Sequence, residues 1–174
     1  MEQFAPDTEQ LPLPRTVLFS IFMGKVGYPH MPLLLESMRR NPGVDFKLIN
    51  IIQPGSDDAN DVIALKNKLA VPNFEIHVLN MNQFSAIVME RLKLSIQFTK
   101  DWYYKMCDFK PTLAYLFPEL SRNDTYKYWG YVDMDLIWGN ISRFSHWFQG
   151  QYPFIHSGEN ILTHIYLNSY VDVS

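Results

Sequence analysis

TVLFSIFMGKVGYPHMPLLLESMRRNPGVDFKLINII, residues Thr16 to Ile52, decides the fold class of this chain. TVLFSIF, Thr16 to Phe22, is a short apolar run rich in β-formers and reads as a buried strand. The glycine-containing turn GKVGYPH follows, and then a helical pattern from about Met31 to Arg40. Asn41-Pro42-Gly43 stops that helix, and DFKLINII, Asp45 to Ile52, alternates into a second strand. Strand, helix and strand in one short stretch call for a crossover and a parallel pair.

The pattern continues outward. QPGSDDAND is a turn before a helix starting near Asp61, and its acids suit a helix N-terminus. Those acids lack the spacing and central glycine of a calcium loop. FEIHVLN, Phe74 to Asn80, alternates as a third strand, and MNQFSAIVMERLKLSIQF reads as an amphipathic helix beginning near Asn82. The alternation predicts an α/β, Rossmann-like sandwich with a mostly parallel sheet. Met1 to Arg15, with three prolines, reads as a loose lead-in, and 16–174 as one domain without internal repeats.

In the second half, WYYKMCDFKPTLAYLFPEL carries an apolar helical pattern in which Pro111 fits the first turn of a new helix. A polar turn, SRNDT, leads into KYWGYVDMDLIWGN, Lys127 to Asn140. This segment predicts an apolar strand with Asp133 and Asp135 on the same face, since residues two apart in a strand point together. Two buried carboxylates side by side need a neutralising partner, and a hard divalent cation supplies it while leaving positions for phosphate oxygens. ISRFSHWFQG predicts a short amphipathic helix, and FIHSG and NILTHIYLN late strands.

Composition narrows the classes. With 47% hydrophobic and 19% charged residues, 174 residues can form a globular core, which argues against disorder. The net charge of −3 and scattered basic residues argue against nucleic-acid binding. Cys107 is alone, so no internal disulfide is expected, and it reads as an inert cysteine rather than a nucleophile. No apolar run reaches the length of a membrane span, and a signal-peptide core is lacking. The expectation is a cytoplasmic protein whose contact with a membrane, if it has one, is peripheral.

The pairing of YYKMCDFKPTLAYLFPEL with YWGYVDMDLIWGNI resembles the nucleotide-sugar-binding half of GT-A-type glycosyltransferases. It is most similar to bacterial, viral and algal polysaccharide-type sequences in which K-x-C-D-F-K-P precedes G-Y-x-D-x-D. The opening strand, the glycine turn and the N-P-G-V-D-F break also look like that group, so the resemblance runs from about Thr16 to Asn140. It implies transfer of a hexose or deoxyhexose from a nucleotide-sugar donor to a glycan acceptor, with Mn²⁺ or Mg²⁺. Asp133 and Asp135 match the metal-holding D-x-D, with Asp133 also at the donor diphosphate. Asp108 matches an acid that reaches donor-sugar hydroxyls and is counted as the catalytic residue. Lys105 and Lys110 match flanking bases that pair with this acid or with phosphate. Phe22 and Gly24, at the end of the first strand, are placed to meet the nucleotide base or ribose.

Where many nucleotide-sugar enzymes end the second strand on an acid, this chain reads Asn50-Ile51-Ile52-Gln53. His30, His77, His146, His156 and His164 are not spaced as a metal set; only His156 is placed for a late ligand or acceptor contact. Family members continue into an acceptor-binding portion, so a C-terminus shortened at Ser174 and slow donor hydrolysis are expected of the chain alone. The rival reading is a non-catalytic donor-binding or partner module. A D-x-D phosphatase is disfavoured, because its motif lies near the N-terminus with Thr or Val behind it, whereas Leu136 follows here.

Overall fold

Strand β1, Thr16–Met23, is buried at every residue except half-buried Phe22, so both of its faces need cover. Parallel neighbours on each side provide it. The computed structural model describes residues 12–27, 29–52, 60–99, 104–121 and 124–148, and the backbone of 154–156 and 166–169. Strands β2 (Val44–Ile52), β3 (Phe74–Asn80), β4 (Tyr128–Tyr131), β5 (Phe154–His156) and β6 (Tyr166–Ser169) join β1 in one sheet of order β3-β2-β1-β4-β6-β5. The first four strands in that order are parallel, whereas β6 is antiparallel to both β4 and β5. The fold is α/β and Rossmann-like, with a mostly parallel sheet, as the alternation of elements predicts.

Side-chain alternation divides the core in two. Leu18, Phe46 and Leu48 face helices α1 (Met31–Arg39) and α2 (Asn60–Lys68). Val17, Phe19, Ile21, Ile49 and Ile51 face α3 (Met81–Leu92) and the segment 104–120. Helix α1 buries Met31, Leu34, Leu35 and Met38, the single stripe that a 3.6-residue period produces. Helix α3 opens on a reciprocal cap: Gln83 N donates to Asn80 Oδ1, and Asn80 N donates to Gln83 Oε1.

Three expectations change. Helix α3 stops at Leu92 instead of running to Phe98, because Lys93 takes a left-handed φ of 58°. The chain then brings Phe98 into ring contact with Phe84 and Phe109, centroids 5.2 and 5.4 Å away. Pro111 sits inside a 3₁₀ segment, Tyr104–Thr112, and the helix proper is only α4, Leu113–Leu116. The segment Ile141–Phe148 is also 3₁₀, kinked at Phe144. The turn 53–59, expected to cap α2, lies outside the described residues.

Buried asparagines tie the crossovers together. Asn73 Nδ2 donates toward the carbonyls of Met38, Asn41 and Val44 at 2.8, 3.0 and 2.9 Å, which anchors the chain before β3 to the α1–β2 turn. Replacing Asn73 with Ala removes all three bonds, although Met38 O keeps Asn41 N and Asn41 O keeps Val44 N. The expected loss is about 1–2 kcal/mol, read as a lower urea midpoint with an unchanged m-value.

On the α3 face, Lys47 is almost fully buried and pairs with Glu75 of β3 at 2.6 Å. Burial pushes the Glu75 carboxyl up, but the Lys47 hydrogen bond and charge, with His77, hold it below its ordinary value. Burial lowers the His77 imidazole below its ordinary 6.5, against the opposing pull of Glu75. The unfolded chain therefore binds this proton more readily than the folded one. Stability should be full above about pH 6.5 and fall as pH drops through the lower folded value. In urea titrations at pH 7.5 and 5, His77→Gln should lose less stability than the parent chain.

Candidate functional site

The strand order reverses direction between β1 and β4: the chain winds from β1 outward to β3, then returns to β1's other side. Crevices at such a switch point, beyond the carboxyl ends of the strands, are where open α/β sheets bind ligands. A cleft of about 270 Å³ lies there. Ile21, Phe22 and Met23 form its floor, Met106, Cys107 and Lys110 one wall, and Asp133, Met134 and Asp135 another, with His30 completing it.

The acid pair is displaced from its expected setting. β4 ends at Tyr131, so Asp133 and Asp135 stand in the loop beyond the strand and not within it. Alternation nevertheless survives: Val132 and Met134 are buried, while Asp133 is partly exposed and Asp135 exposed. The loop is pinned to β1, with Val132 N donating to Phe19 O at 2.8 Å and Ser20 Oγ donating to Val132 O at 2.9 Å. Both carboxylates line the cleft and both meet solvent, so mutual burial does not force them to find a cation.

Lys110 supplies charge within the site. Its ammonium pairs with Asp133 Oδ1, and its side chain is 12% exposed against 34% for Asp133. Lys105 instead pairs with Asp108 at 3.7 Å, both about two-thirds exposed on the outer side of the 3₁₀ segment. Neither residue lines the cleft. Gly24 also lies outside the lining, but it shapes the rim with a φ of 95° that disfavours any side chain. Its N–H donates to Ile51 O at 2.7 Å, and its carbonyl accepts from Asn50 Nδ2 at 2.9 Å. Asn50 thus acts as a buried brace for the glycine turn.

Besides its apolar lining, sequence reasoning missed His30 and Cys107 as members of the cleft. His30, at the N-cap of α1, has Nε2 3.4 Å from the Met134 carbonyl oxygen and donates to it in the tautomer protonated there. This brings the electropositive end of α1 to the cleft edge. Cys107, read as inert, is an exposed thiol in the wall. Cys107 stands within the K-x-C-D-F-K-P segment, which could have drawn attention to it, whereas the place of His30 follows from tertiary packing. The described part of His156 is its backbone at the end of β5, paired with Tyr166.

Among the described residues no group of three or more His, Cys, Asp or Glu is gathered for a metal. Asp133 and Asp135 are a two-carboxylate set. That fits Mg²⁺ or Mn²⁺, which take one or two carboxylates and complete their shells with water and phosphate oxygens. No helix among the described residues is long and apolar enough to cross a membrane.

The family model described as "Family of unknown function (DUF6625)" matches residues 18–158. No curated protein matches the chain. The solved structure "PaToxG Glycosyltransferase" is similar with a TM-score of 0.31 and 18% identity, covering 71% of this chain and 43% of that one. The chain thus spans less than half the length of that structure, and the likeness is too slight to transfer an activity.

Cys107 gives a direct measure of the cleft. Thiol titration of the native protein should count one fast-reacting group, and a bulky maleimide there should block any ligand the cleft takes. A thiol that reacts only after unfolding would contradict the exposed position.

Proposed function

Because the chain belongs to the DUF6625 family, whose description assigns no activity, we propose its function from the cleft: a metal-dependent glycosyltransferase using a nucleotide-sugar donor. The observation that carries this reading is the convergence of Asp133, Asp135 and Lys110 on one crevice at the switch point of a parallel sheet. Two carboxylates without a cation would repel a diphosphate. With Mn²⁺ or Mg²⁺ held by Asp133 and Asp135, they become a diphosphate clamp, and the ion would offset charge building on the departing nucleoside diphosphate.

The chain's own groups divide the remaining work. Lys110 offers a compact positive charge to a phosphate oxygen, and the N-terminus of α1 favours the same anion. Phe22, half-buried at the end of β1, gives an apolar face to the base or ribose, and the Gly24 turn leaves that side open. Asp108, next to Cys107 on the outer side of the wall, would meet sugar hydroxyls that extend out of the cleft, with Lys105 orienting its carboxylate. Attack by a glycan hydroxyl on the anomeric carbon completes the transfer, and positioning that hydroxyl supplies much of the rate.

Calorimetric titration with UDP, GDP, ADP and CDP, with and without Mn²⁺, tests the clamp. One base should bind, and only with Mn²⁺; Asp133→Ala and Asp135→Ala should abolish that binding without unfolding the chain. Unchanged affinity in both variants refutes the clamp. Asp108→Ala should weaken the matching nucleotide-sugar by about 1.5–3 kcal/mol and spare the free nucleoside diphosphate. Turnover of the matching donor distinguishes an enzyme from a donor-binding module.

A further inference from the structure

The two cleft carboxylates are unequal. Asp133 has a cation already in place, the nearly buried ammonium of Lys110. Asp135 is exposed, and no ion pair within the described residues engages it. Lys110 is also held firmly. It stands in the 3₁₀ segment that runs directly into α4, whose Leu113 and Leu116 are buried, and Phe109 beside it packs edge-on against Phe84 at 5.4 Å. The ammonium is thus delivered to Asp133 by a fixed part of the core and not by a loose surface chain.

We propose that Lys110 is a resident counter-ion of Asp133 and makes metal and diphosphate bind as a coupled pair. This rests on the reading of the cleft as a metal–diphosphate site. A divalent ion arriving alone at Asp133 must share its carboxylate with a positive charge, and like charges this close repel even in a partly solvated cleft. A diphosphate arriving alone meets Lys110, but also two carboxylates. Arriving together, the diphosphate accepts Lys110 and the ion, and Asp133 is released to the ion. Each ligand therefore improves the affinity of the other, reciprocally, as linkage requires. Lys110 here is a positioning residue, acting through Asp133 before it meets phosphate.

The test uses the full chain with Mn²⁺ alone, inorganic pyrophosphate alone, and both. Pyrophosphate carries no base, so base preference does not enter. Free Mn²⁺ is counted by electron paramagnetic resonance, and pyrophosphate binding is followed by calorimetry. In the parent chain, Mn²⁺ alone should bind weakly and tighten markedly with pyrophosphate. In Lys110→Gln, Mn²⁺ alone should bind about tenfold tighter, while the coupling between the two ligands shrinks. Lys110→Met, which keeps an apolar stem of similar length, should act the same way if Gln perturbs folding by circular dichroism. Mn²⁺ affinity that is unchanged or weaker in a folded Lys110 variant overturns the proposal. If Asp133→Ala and Asp135→Ala also bind Mn²⁺–pyrophosphate like the parent chain, the cleft reading itself falls. If those two lose it and Lys110→Gln leaves Mn²⁺ alone unchanged, only the counter-ion role falls.

Discussion

The position of the cleft depends on how the chain leaves β4. Val132 is bound to β1 through both of its main-chain groups, by the Phe19 carbonyl and the Ser20 hydroxyl. Ser20 is buried, so its hydroxyl has no water to turn to, and the bond sets the height at which β4 ends. One residue later the chain presents Asp133 to the mouth of the sheet. A strand one residue longer or shorter would turn this carboxylate to the opposite face.

A second brace fixes the loop from its far side. Asn41, just past α1, donates from Nδ2 to the carbonyls of Ser37 and Gly139, and its Oδ1 accepts from Ile141 N. Ser37 Oγ accepts from Trp138 N. The loop carrying the two aspartates is therefore clamped between β1 and the end of α1. Its residues hold their places through side chains a hundred positions away in sequence, at little cost in local regularity.

That distance explains what could be read directly from the residues. β1 announces itself because a parallel strand covered on both faces must be apolar along its length, whereas Asp45 to Ile52 and Phe74 to Asn80 do so by alternation. Helix α1 declares its buried stripe in the same way. The acid pair stands out by residue type, and its shared sidedness holds although the strand ends sooner. Beyond these elements, local pattern gives way to packing. Phe98 leaves the helical track of α3 because two other rings receive it. The 3₁₀ course of Tyr104–Thr112, which aims Lys110 at Asp133 and Cys107 into the cleft, likewise follows from contacts made far along the chain. Exposure of a cysteine or the reach of a histidine is decided by such contacts, and no spacing rule encodes them.

The pairing of Lys47 with Glu75 has a consequence for how this sheet meets other chains. β3 is an outer strand of the described sheet, the position at which a foreign strand would pair. A strand added there would crowd the half-exposed Glu75, and a charge on an edge strand discourages such pairing. At the opposite margin of the described sheet, β5 pairs with β6 over three residues. In a sheet this rich in Val, Ile and Phe, a charge at the β3 edge works against edge-to-edge association.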